Sequence, residues 1–282
     1  MYEPSTGAEV ERVIVEGGRA AGVRLTDGET IRSERVLSNA DPKRTFLRLL
    51  DEGDLEPEFR AAVGAYRSQG TSVKINLGVS RLPEVTGMPA GLQPYHGGIM
   101  EFGPFIAGMD RAQDQARVGE LGSDPHTEVC IPTVHDAGLA PEGDHVITID
   151  INSQPYGLAG GHWDEIRDGV ADQAVARLEG YMPGLADSIV ERQVLSPLAL
   201  ERLLYPTGGH ALHGDMASDQ LFTLRPVRGH ADYRTPVRDL YLCGAGTHPG
   251  GGVSGANGRN CATEVLRDNG RLRRRLSAAV GR

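Results

Sequence analysis

The chain has 282 residues, with a hydrophobic fraction of 39% and a charged fraction of 24%, which is the composition of a folded globular protein. Its length exceeds the usual size of a single hydrophobic core, so two lobes are expected. The formal net charge of −9 argues against nucleic acid as a partner, because a phosphate backbone requires a clustered basic face.

Targeting and redox features favour the cytoplasm. No apolar run approaches the length needed to span a bilayer, and the start of the chain lacks the basic and apolar regions of a signal peptide. Cys130, Cys243 and Cys261 are odd in number and lack the spacing of metal ligands. Such cysteines suit a reducing compartment, and a cytoplasmic location is therefore expected.

The chain begins with a predicted β-meander. Three strands are expected, at Val10 to Val15, Ala20 to Leu25 and Thr30 to Leu37. Glycine-containing hairpin turns join them. The stretch Asn39-Ala40-Asp41-Pro42 then predicts the start of a helix, with Asp41 as N-cap and Pro42 at the first helical position.

The middle of the chain predicts a mixed sheet backed by helices. Strands are expected at Ser72 to Val79, Glu128 to Val134, His145 to Ser153 and Ile189 to Leu195. Helices are expected at Glu56 to Ala65, Trp163 to Tyr181 and Leu198 to Leu204. The glycine- and proline-rich segment from Arg81 to Gly108 is either a lid near a substrate or an irregular connection. These elements together predict an α+β layer.

The most informative stretch lies near the end of the chain. A short buried strand is predicted at Leu240 to Cys243, a glycine-dense turn at Gly244 to Gly258 and the beginning of a helix at Asn260 to Leu266. Glycine lets a backbone approach a ligand closely, and the free N–H groups at a helix start attract negative atoms. This order predicts a phosphate or cofactor cradle, with an ordinary strand-to-helix connection as the alternative.

The sequence LYLCGAGTHPGGGVSGANGRNCA in this stretch resembles the C-terminal flavin-contacting motif of the FAD-dependent phytoene desaturase-like oxidoreductases. The segments RAAGVRLTDGETIRSERVLSNADPKRTFLRLL and QLFTLRP are also similar to that family, so the resemblance covers most of the chain. It implies that FAD is the cofactor and that Gly244 and Ala245 pass its ribityl-pyrophosphate part. The residues implied to lie against the isoalloxazine ring are Gly252, Val253, Ser254 and Gly255.

The same resemblance implies further cofactor contacts near the start of the chain. The last strand of the meander returns to the central sheet in this family. Ser38, Asn39 and Ala40 would then lie at the carboxyl end of that strand, where ligands gather in open α/β sheets.

The implied fold combines α/β and α+β parts. An incomplete Rossmann-like FAD-binding lobe of the amine oxidase and phytoene desaturase type is formed by residues 1–50, with the meander and return strand, and residues 226–282, with the FAD-contacting strand, turn and helix. Residues 51–225 form a mixed-sheet substrate lobe. Family members begin with a strand, a GxGxxG turn and a helix that hold the ADP half of FAD, and this sequence lacks that N-terminal unit. We therefore expect this chain alone to bind FAD weakly or not at all, and to associate either with a separate N-terminal FAD-binding chain or with copies of itself.

Several side chains are candidates for contact with substrate. His210 and His213 flank Ala211-Leu212, a spacing that can place both on one side of a turn near the cofactor. No third ligand is placed by the sequence, so a metal is not predicted, and a polar wall of the substrate cavity, with Tyr205, is the interpretation. His248, inside the flavin motif, suits either proton transfer or a structural hydrogen bond across the turn. No catalytic side chain is identified.

Two functions are therefore open. The first is the C-terminal part of an FAD-dependent oxidoreductase that transfers a hydride from an apolar or amine-like substrate to the flavin. The alternative is a flavin-free module that binds a lipid or a protein. The arginine-rich tail from Arg271 to Arg282 either contacts a membrane surface peripherally or is a solvated helix end.

Overall fold

The computed structural model describes residues 4–280, and the side chains of residues 4–270. Its strands are β1 (Val10–Glu16), β2 (Arg19–Leu25), β3 (Thr30–Arg32), β4 (Val36–Ser38), β5 (Val73–Val79), β6 (Met100–Phe102), β7 (Thr127–Cys130), β8 (His145–Ile151), β9 (Ile189–Leu195) and β10 (Leu240–Leu242). Its α-helices are α1 (Pro42–Leu47), α2 (Pro57–Ala65), α3 (Ile106–Arg117), α4 (Trp163–Glu179), α5 (Leu185–Ser188), α6 (Pro197–Leu204) and α7 (Ala256–Val280). The predicted mixture of α/β and α+β structure is confirmed.

The chain divides into two compact units. The first combines the stretch up to Ser68 with the stretch from Tyr205 onward, and the second is Gln69–Leu204. Residues 51–68 and 205–225, predicted as part of the substrate lobe, thus lie in the first unit. The reason is packing: the rings of Phe46 and Phe59 meet edge-on with centroids 4.9 Å apart, which fixes α2 against α1.

Two small sheets form the first unit. Strands β1, β2 and β3 make an antiparallel meander, and β4 pairs in parallel with β10, with Val36 opposite Leu240 and Ser38 opposite Leu242. The single predicted strand from Thr30 to Leu37 is therefore wrong. The hydroxyl of Ser33 donates to the carbonyl of Arg35 at 2.6 Å, and this local bond turns the chain out of the meander before β4 begins.

The predicted start of α1 is confirmed. Asp41 has extended backbone angles, and its side chain accepts a hydrogen bond from the backbone N–H of Arg44 at 3.0 Å. Pro42 occupies the first helical position, where its missing N–H is no loss. The helix therefore begins directly after the residues that leave β4.

The second unit is built on an antiparallel sheet with the strand order β6-β7-β8-β5-β9. The side chains of β5 are alternately buried and half-buried, as the sequence predicts for a strand with one face on a core. Helix α4 supplies Trp163, Val170 and Leu178 to the same core. The sheet and the helix therefore bury one continuous apolar layer.

Two stretches of the second unit differ in detail from the elements expected from sequence. The segment from Arg81 to Gly108 contains β6 and the first turn of α3, which are too short to stand out among its glycines and prolines. The strand predicted to continue to Val134 ends at Cys130, because Pro132 lacks an N–H for the ladder and begins a 3-10 turn.

In the described part of the chain, no helix combines the length and the apolar character that crossing a bilayer requires. The side chains of the tail from Arg271 to Arg282, for which membrane contact was considered, lie outside the described residues.

Candidate functional site

The candidate site begins where β4 and β10 end. The strands run in parallel, so their carboxyl ends adjoin, and the N–H of Cys243 donates to the carbonyl of Ser38 at 2.9 Å. Gly244 follows in direct contact with the chain leaving β4, because a Cβ built on it would lie 2.6 Å from the carbonyl oxygen of Asn39. Glycine is therefore required here by close backbone approach.

Hydrogen bonds from the helix side fix the next part of the turn. The hydroxyl of Thr247 donates to the carbonyl of Gly244 at 2.8 Å. Asn257, in the first turn of α7, donates to the carbonyl of Thr247 at 2.9 Å, and the hydroxyl of Tyr233 donates to that of His248 at 2.8 Å. The conformation of the turn is therefore fixed by its own Thr247, by Asn257 of the following helix and by Tyr233, which precedes β10.

A buried arginine fixes the turn from the other side. The guanidinium of Arg225 is fully buried and donates only to backbone carbonyls, including that of Ala245 at 2.9 and 3.1 Å. It also donates to the carbonyls of Leu212 at 2.7 Å and Asp215 at 3.1 Å. Burial lowers the pKa of Arg225. The hydrogen bonds of Arg225 thus link the loop of residues 212–215 to the glycine turn.

The arrangement leaves backbone donors free. In a trans peptide the C=O and N–H groups point in opposite directions, so the bond from Arg225 to the Ala245 carbonyl turns the N–H of Gly246 away from the guanidinium. Within the described residues, the N–H groups of Gly244, Ala245 and Gly246 donate no hydrogen bond. Three adjacent backbone donors without a partner fit the pyrophosphate or ribityl oxygens of FAD.

The second part of the turn is open. Gly252 and Gly255 have φ values of +113° and +69°, and a Cβ on either would meet no atom within 4 Å. Val253 is fully exposed, and Ser254 accepts a bond from the N–H of Ala256 at the start of α7. Helix α7 therefore begins before the predicted Asn260, and Gly258 is helical. These four residues present backbone and one apolar side chain at the surface.

Exposed apolar side chains surround this open part. Leu212 and Met216 lie against Gly251 and Gly250, yet they remain 37% and 42% exposed. Phe222 is also exposed, and its ring lies 6.1 Å from the ring of His248. The surface next to the turn is thus suited to a flat, apolar molecule.

The three residues predicted to contact the cofactor at the end of β4 differ in how accessible their groups are. The hydroxyl of Ser38 is occupied by Thr45 Oγ1 at 2.7 Å, so it serves the interior. Asn39 is exposed and Ala40 is half-buried, and both follow the strand where the free amides lie. Asp41, which sequence reasoning treats only as a cap, also accepts from the N–H and the hydroxyl of Thr207 at 2.9 and 3.0 Å.

The predicted substrate residues all belong to the first unit. Nε2 of His210 lies 3.5 Å from a carboxylate oxygen of Asp215, and His213 lies beside Gly246. Burial lowers the pKa of both histidines despite nearby carboxylates, so both favour the neutral form. Nδ1 of His213 is buried and lacks a partner within the described residues. Tyr205 instead lies under the guanidinium of Arg44, at 4.6 Å.

The sequence analysis does not identify two residues of the site. Arg225 lies in the QLFTLRP segment, but nothing in that segment indicates burial. Tyr66 packs on Gly214, where a Cβ would lie 2.2 Å from its hydroxyl, and burial raises the pKa of Tyr66 to about 12. That hydroxyl has no hydrogen-bond partner in the described part of the chain. No group of three or more potential metal ligands is found among the described residues.

The chain is similar in sequence to several known proteins. No family model matches the chain. It is 42% identical over 275 residues to pyridine nucleotide-disulfide oxidoreductase domain-containing protein 2 of Mus musculus, covering 95% of this chain and 47% of the relative. It is 30% identical to the chloroplastic prolycopene isomerase of Daucus carota, covering 93% of this chain and 40% of the relative. A neurosporene-forming phytoene desaturase of Cereibacter sphaeroides is 29% identical over 89% of this chain and 46% of its own length.

The fold has a counterpart among solved structures. An oxidoreductase from Methanosarcina mazei matches 93% of this chain and 49% of its own with a TM-score of 0.54 and 18% identity, which is a likeness of fold. The chain spans about half the length of the curated relatives it matches. Together with the motif at the end of β10, these similarities make the chain a homologue of the phytoene desaturase-like oxidoreductases, matched over nearly all of its length.

Proposed function

We propose that the chain is part of an FAD-dependent oxidoreductase and that the turn after β10 holds the flavin. The observation that carries this proposal is the junction of β4 and β10. There Gly244 touches the chain leaving β4, and the N–H groups of Gly244, Ala245 and Gly246 have no hydrogen-bond partner in the described residues. A bound flavin supplies a two-electron acceptor, and the chain's own residues supply its position.

Each part of the turn has a separate task in this proposal. Gly244, Ala245 and Gly246 donate to cofactor oxygens, with the exposed Asn39 and the half-buried Ala40 beside them and Ser38 supporting the end of β4 from the interior. Gly252, Val253, Ser254 and Gly255 lie along the isoalloxazine ring. Arg225 makes no contact with the cofactor but keeps the Ala245 carbonyl turned inward, and is therefore a positioning residue.

The substrate class follows from the surface around the turn. Leu212, Met216 and Phe222 offer exposed apolar area, while the neutral imidazoles of His210 and His213 add polarity without charge. The names of three relatives refer to prolycopene, limonene and phytoene, all apolar compounds. We infer hydride transfer to the flavin from an apolar substrate, with an amine-like substrate accommodated by the neutral histidines.

The adenosine half of the cofactor requires further groups. Strands β4 and β10 form a sheet of two strands in the described residues, and a strand–GxGxxG–helix unit beside it would supply the pyrophosphate site. We propose that another polypeptide segment or chain contributes that unit. Titration with FAD should therefore give weak, saturable binding to this chain, with a Kd of about 0.1–1 mM.

The test compares two exposed valines. Val253→Glu places a carboxylate beside the proposed flavin, and Val190→Glu, on β9 in the second unit, adds the same charge elsewhere. Flavin absorbance and fluorescence are followed during titration with FAD. We expect Val253→Glu to weaken binding about tenfold or more, and Val190→Glu to leave it unchanged.

Two results of this titration would contradict the proposal. If wild-type protein causes no saturable change in the flavin spectrum, or if the two variants bind FAD equally well, the turn does not hold flavin. The exposed Phe222 and Val253 would then favour the flavin-free module that binds a lipid or protein.

A further inference from the structure

The first turn of helix α3 carries apolar side chains that the chain leaves at its surface. Phe105, the N-cap of the helix, is 95% exposed, Ile106 is 77% exposed and Met109 is 39% exposed. We call these three residues the apolar tip. The tip belongs to the second unit, whereas the glycine turn belongs to the first. Adjoining apolar side chains that remain exposed mark a site of interaction, so the tip requires a partner of its own.

The tip continues a helical stripe whose other half is buried. Phe105, Met109, Ala112 and Ala116 follow one another at spacings of three or four residues, which places them on one face of the helix. Ala112 and Ala116 are buried, whereas Phe105 and Met109 are exposed. The C-terminal half of this apolar face therefore packs inside the unit, and the N-terminal half faces outward.

Packing holds the tip in place. A Cβ on Gly108 would lie 2.4 Å from the side chain of Pro104, so the chain before the helix lies closely against its first turn. Two residues before Pro104, Phe102 belongs to β6, and its ring lies 5.0 Å from the ring of Tyr181. The exposure of Phe105 is thus a property of a packed turn between a strand and a helix.

The size of the tip limits what can cover it. On the scale of about 150–250 Å² for a whole aromatic side chain, the three side chains together expose roughly 350 Å². A stable protein interface takes about 800 Å² from each partner, so the tip alone is too small to hold a second copy of the chain. A bilayer does not have this requirement, because lipid surrounds whatever apolar group enters it.

The charges beside the tip determine which kind of bilayer it suits. The charged residues within five positions of the tip along the chain are Glu101, Asp110, Arg111 and Asp114, and three of these four are acidic. Contact with anionic lipids requires clustered lysine or arginine, which this stretch lacks. A bilayer of zwitterionic lipids has no such requirement.

We propose that the apolar tip inserts into the surface of a zwitterionic phospholipid bilayer. The three apolar side chains would lie at the boundary between headgroups and acyl chains. No side chain caps α3, and within the described residues the N–H groups of Ile106 and Ala107 donate no hydrogen bond. Headgroup phosphates and water can accept from these donors, whereas an apolar protein surface cannot. The proposal does not depend on flavin binding.

The experiment measures sedimentation of the full chain with phosphatidylcholine vesicles, with and without added phosphatidylserine, at low and high salt. Phe105→Ser removes the exposed ring and supplies a side chain suited to the N-cap, where the backbone is extended. This variant should therefore be at least as stable as wild type in urea unfolding. Val118→Ser is the matched control, because Val118 is 65% exposed at the opposite end of the same helix.

We expect wild-type protein to bind phosphatidylcholine vesicles with little dependence on salt. Phe105→Ser should weaken this binding about tenfold or more, because a large apolar side chain no longer leaves water, and Val118→Ser should leave it unchanged. The proposal fails if wild type does not sediment with these vesicles, or if the two variants bind equally well.

Two further results would contradict the proposal by identifying another contact. Binding that requires phosphatidylserine and disappears at high salt would assign the membrane contact to the arginine-rich tail. Light scattering without vesicles tests a second copy of the chain as the partner, and an oligomer that Phe105→Ser dissociates would assign the tip to that interface.

Discussion

The two parts of the glycine turn have opposite environments. At Gly244 and Gly246 a Cβ would meet Asn39 at 2.6 Å and Pro42 at 2.4 Å, so these glycines are needed for packing inside the unit. At Gly252 and Gly255 a Cβ would meet nothing, and only the positive φ favours glycine. A single glycine-rich motif therefore contains a rigid section and an open section.

Glycine therefore occurs in this sequence motif for two different structural reasons. The rigid section holds backbone donors in place, and its glycines are explained by contacts within the chain. The open section is exposed, and its glycines are explained by no contact within the described residues, which agrees with the flavin contact proposed for it. Substitutions can test this distinction, because the rigid section should respond in stability and the open section in binding.

The largest effect on stability is expected from Arg225→Leu. The substitution leaves four backbone carbonyls without the guanidinium that now satisfies them. Losing such a buried network should lower the free energy of unfolding by about 3–5 kcal/mol. Urea unfolding followed by circular dichroism measures the loss. A decrease below about 1 kcal/mol would mean that the carbonyls find other donors and that Arg225 does not rigidify the turn.

A smaller effect is expected from Gly244→Ala. The added methyl group meets backbone atoms of Asn39, which cannot move without separating β4 from β10, so a loss of about 1–3 kcal/mol is expected. Gly251→Ala is the matched control, because its Cβ would meet side-chain atoms of the partly exposed Leu212 and no backbone atom. Equal losses in the two variants, measured by urea unfolding, would contradict a rigid first section.

Gly258→Ala should change stability in the opposite direction. Gly258 was predicted within the turn, but it lies in α7, and a Cβ there meets no atom within 4 Å. Replacing a helical glycine with alanine should stabilise the protein by about 0.5–1 kcal/mol. A thermal unfolding curve that shows destabilisation would place Gly258 outside the helix.

The smallest effect concerns pH. Burial lowers the pKa of His210 and His213 below the ordinary value of 6.5, so the unfolded chain takes up protons first as the pH falls. Stability should therefore be fully present above about pH 6.5 and decline below it. His213→Asn, which suits the φ of 56°, should make this decline shallower in urea midpoints measured across that range. An unchanged decline would assign the pH dependence to other groups.

Local signals account for the parts of the structure that sequence could predict. The hairpin glycines, the Asp41-Pro42 helix start and the alternation in β5 each depend on residues a few positions apart. The site's glycine turn was also visible, because strand, glycines and helix follow one another directly. Such features depend little on the rest of the chain.

Distant partners explain what sequence could not predict. Arginine is ordinarily exposed, and the burial of Arg225 depends on carbonyls at Leu212 and Ala245 that only the folded turn brings together. Likewise, Gly258 has the composition of a turn residue, and α7 includes it because Asn257 is tied to the Thr247 carbonyl. The approach of Arg19 and Arg35 to the carboxylate of Asp239 similarly requires β2 and the start of β4 to meet in the folded chain.

The discontinuity of the first unit also bears on the order of folding during synthesis. Asp41 bonds to Thr207, and Arg67 donates to Asp219 at 2.6 and 3.0 Å, so contacts of this unit join parts of the chain more than 150 positions apart. The ribosome releases all of Gln69–Leu204 before β10 exists, and a unit formed from contiguous chain can fold as it emerges. Strand β4 therefore lacks its partner β10 until Leu240–Leu242 has been synthesised, and this interval is when a chaperone or a neighbouring nascent chain has access to that side of the strand.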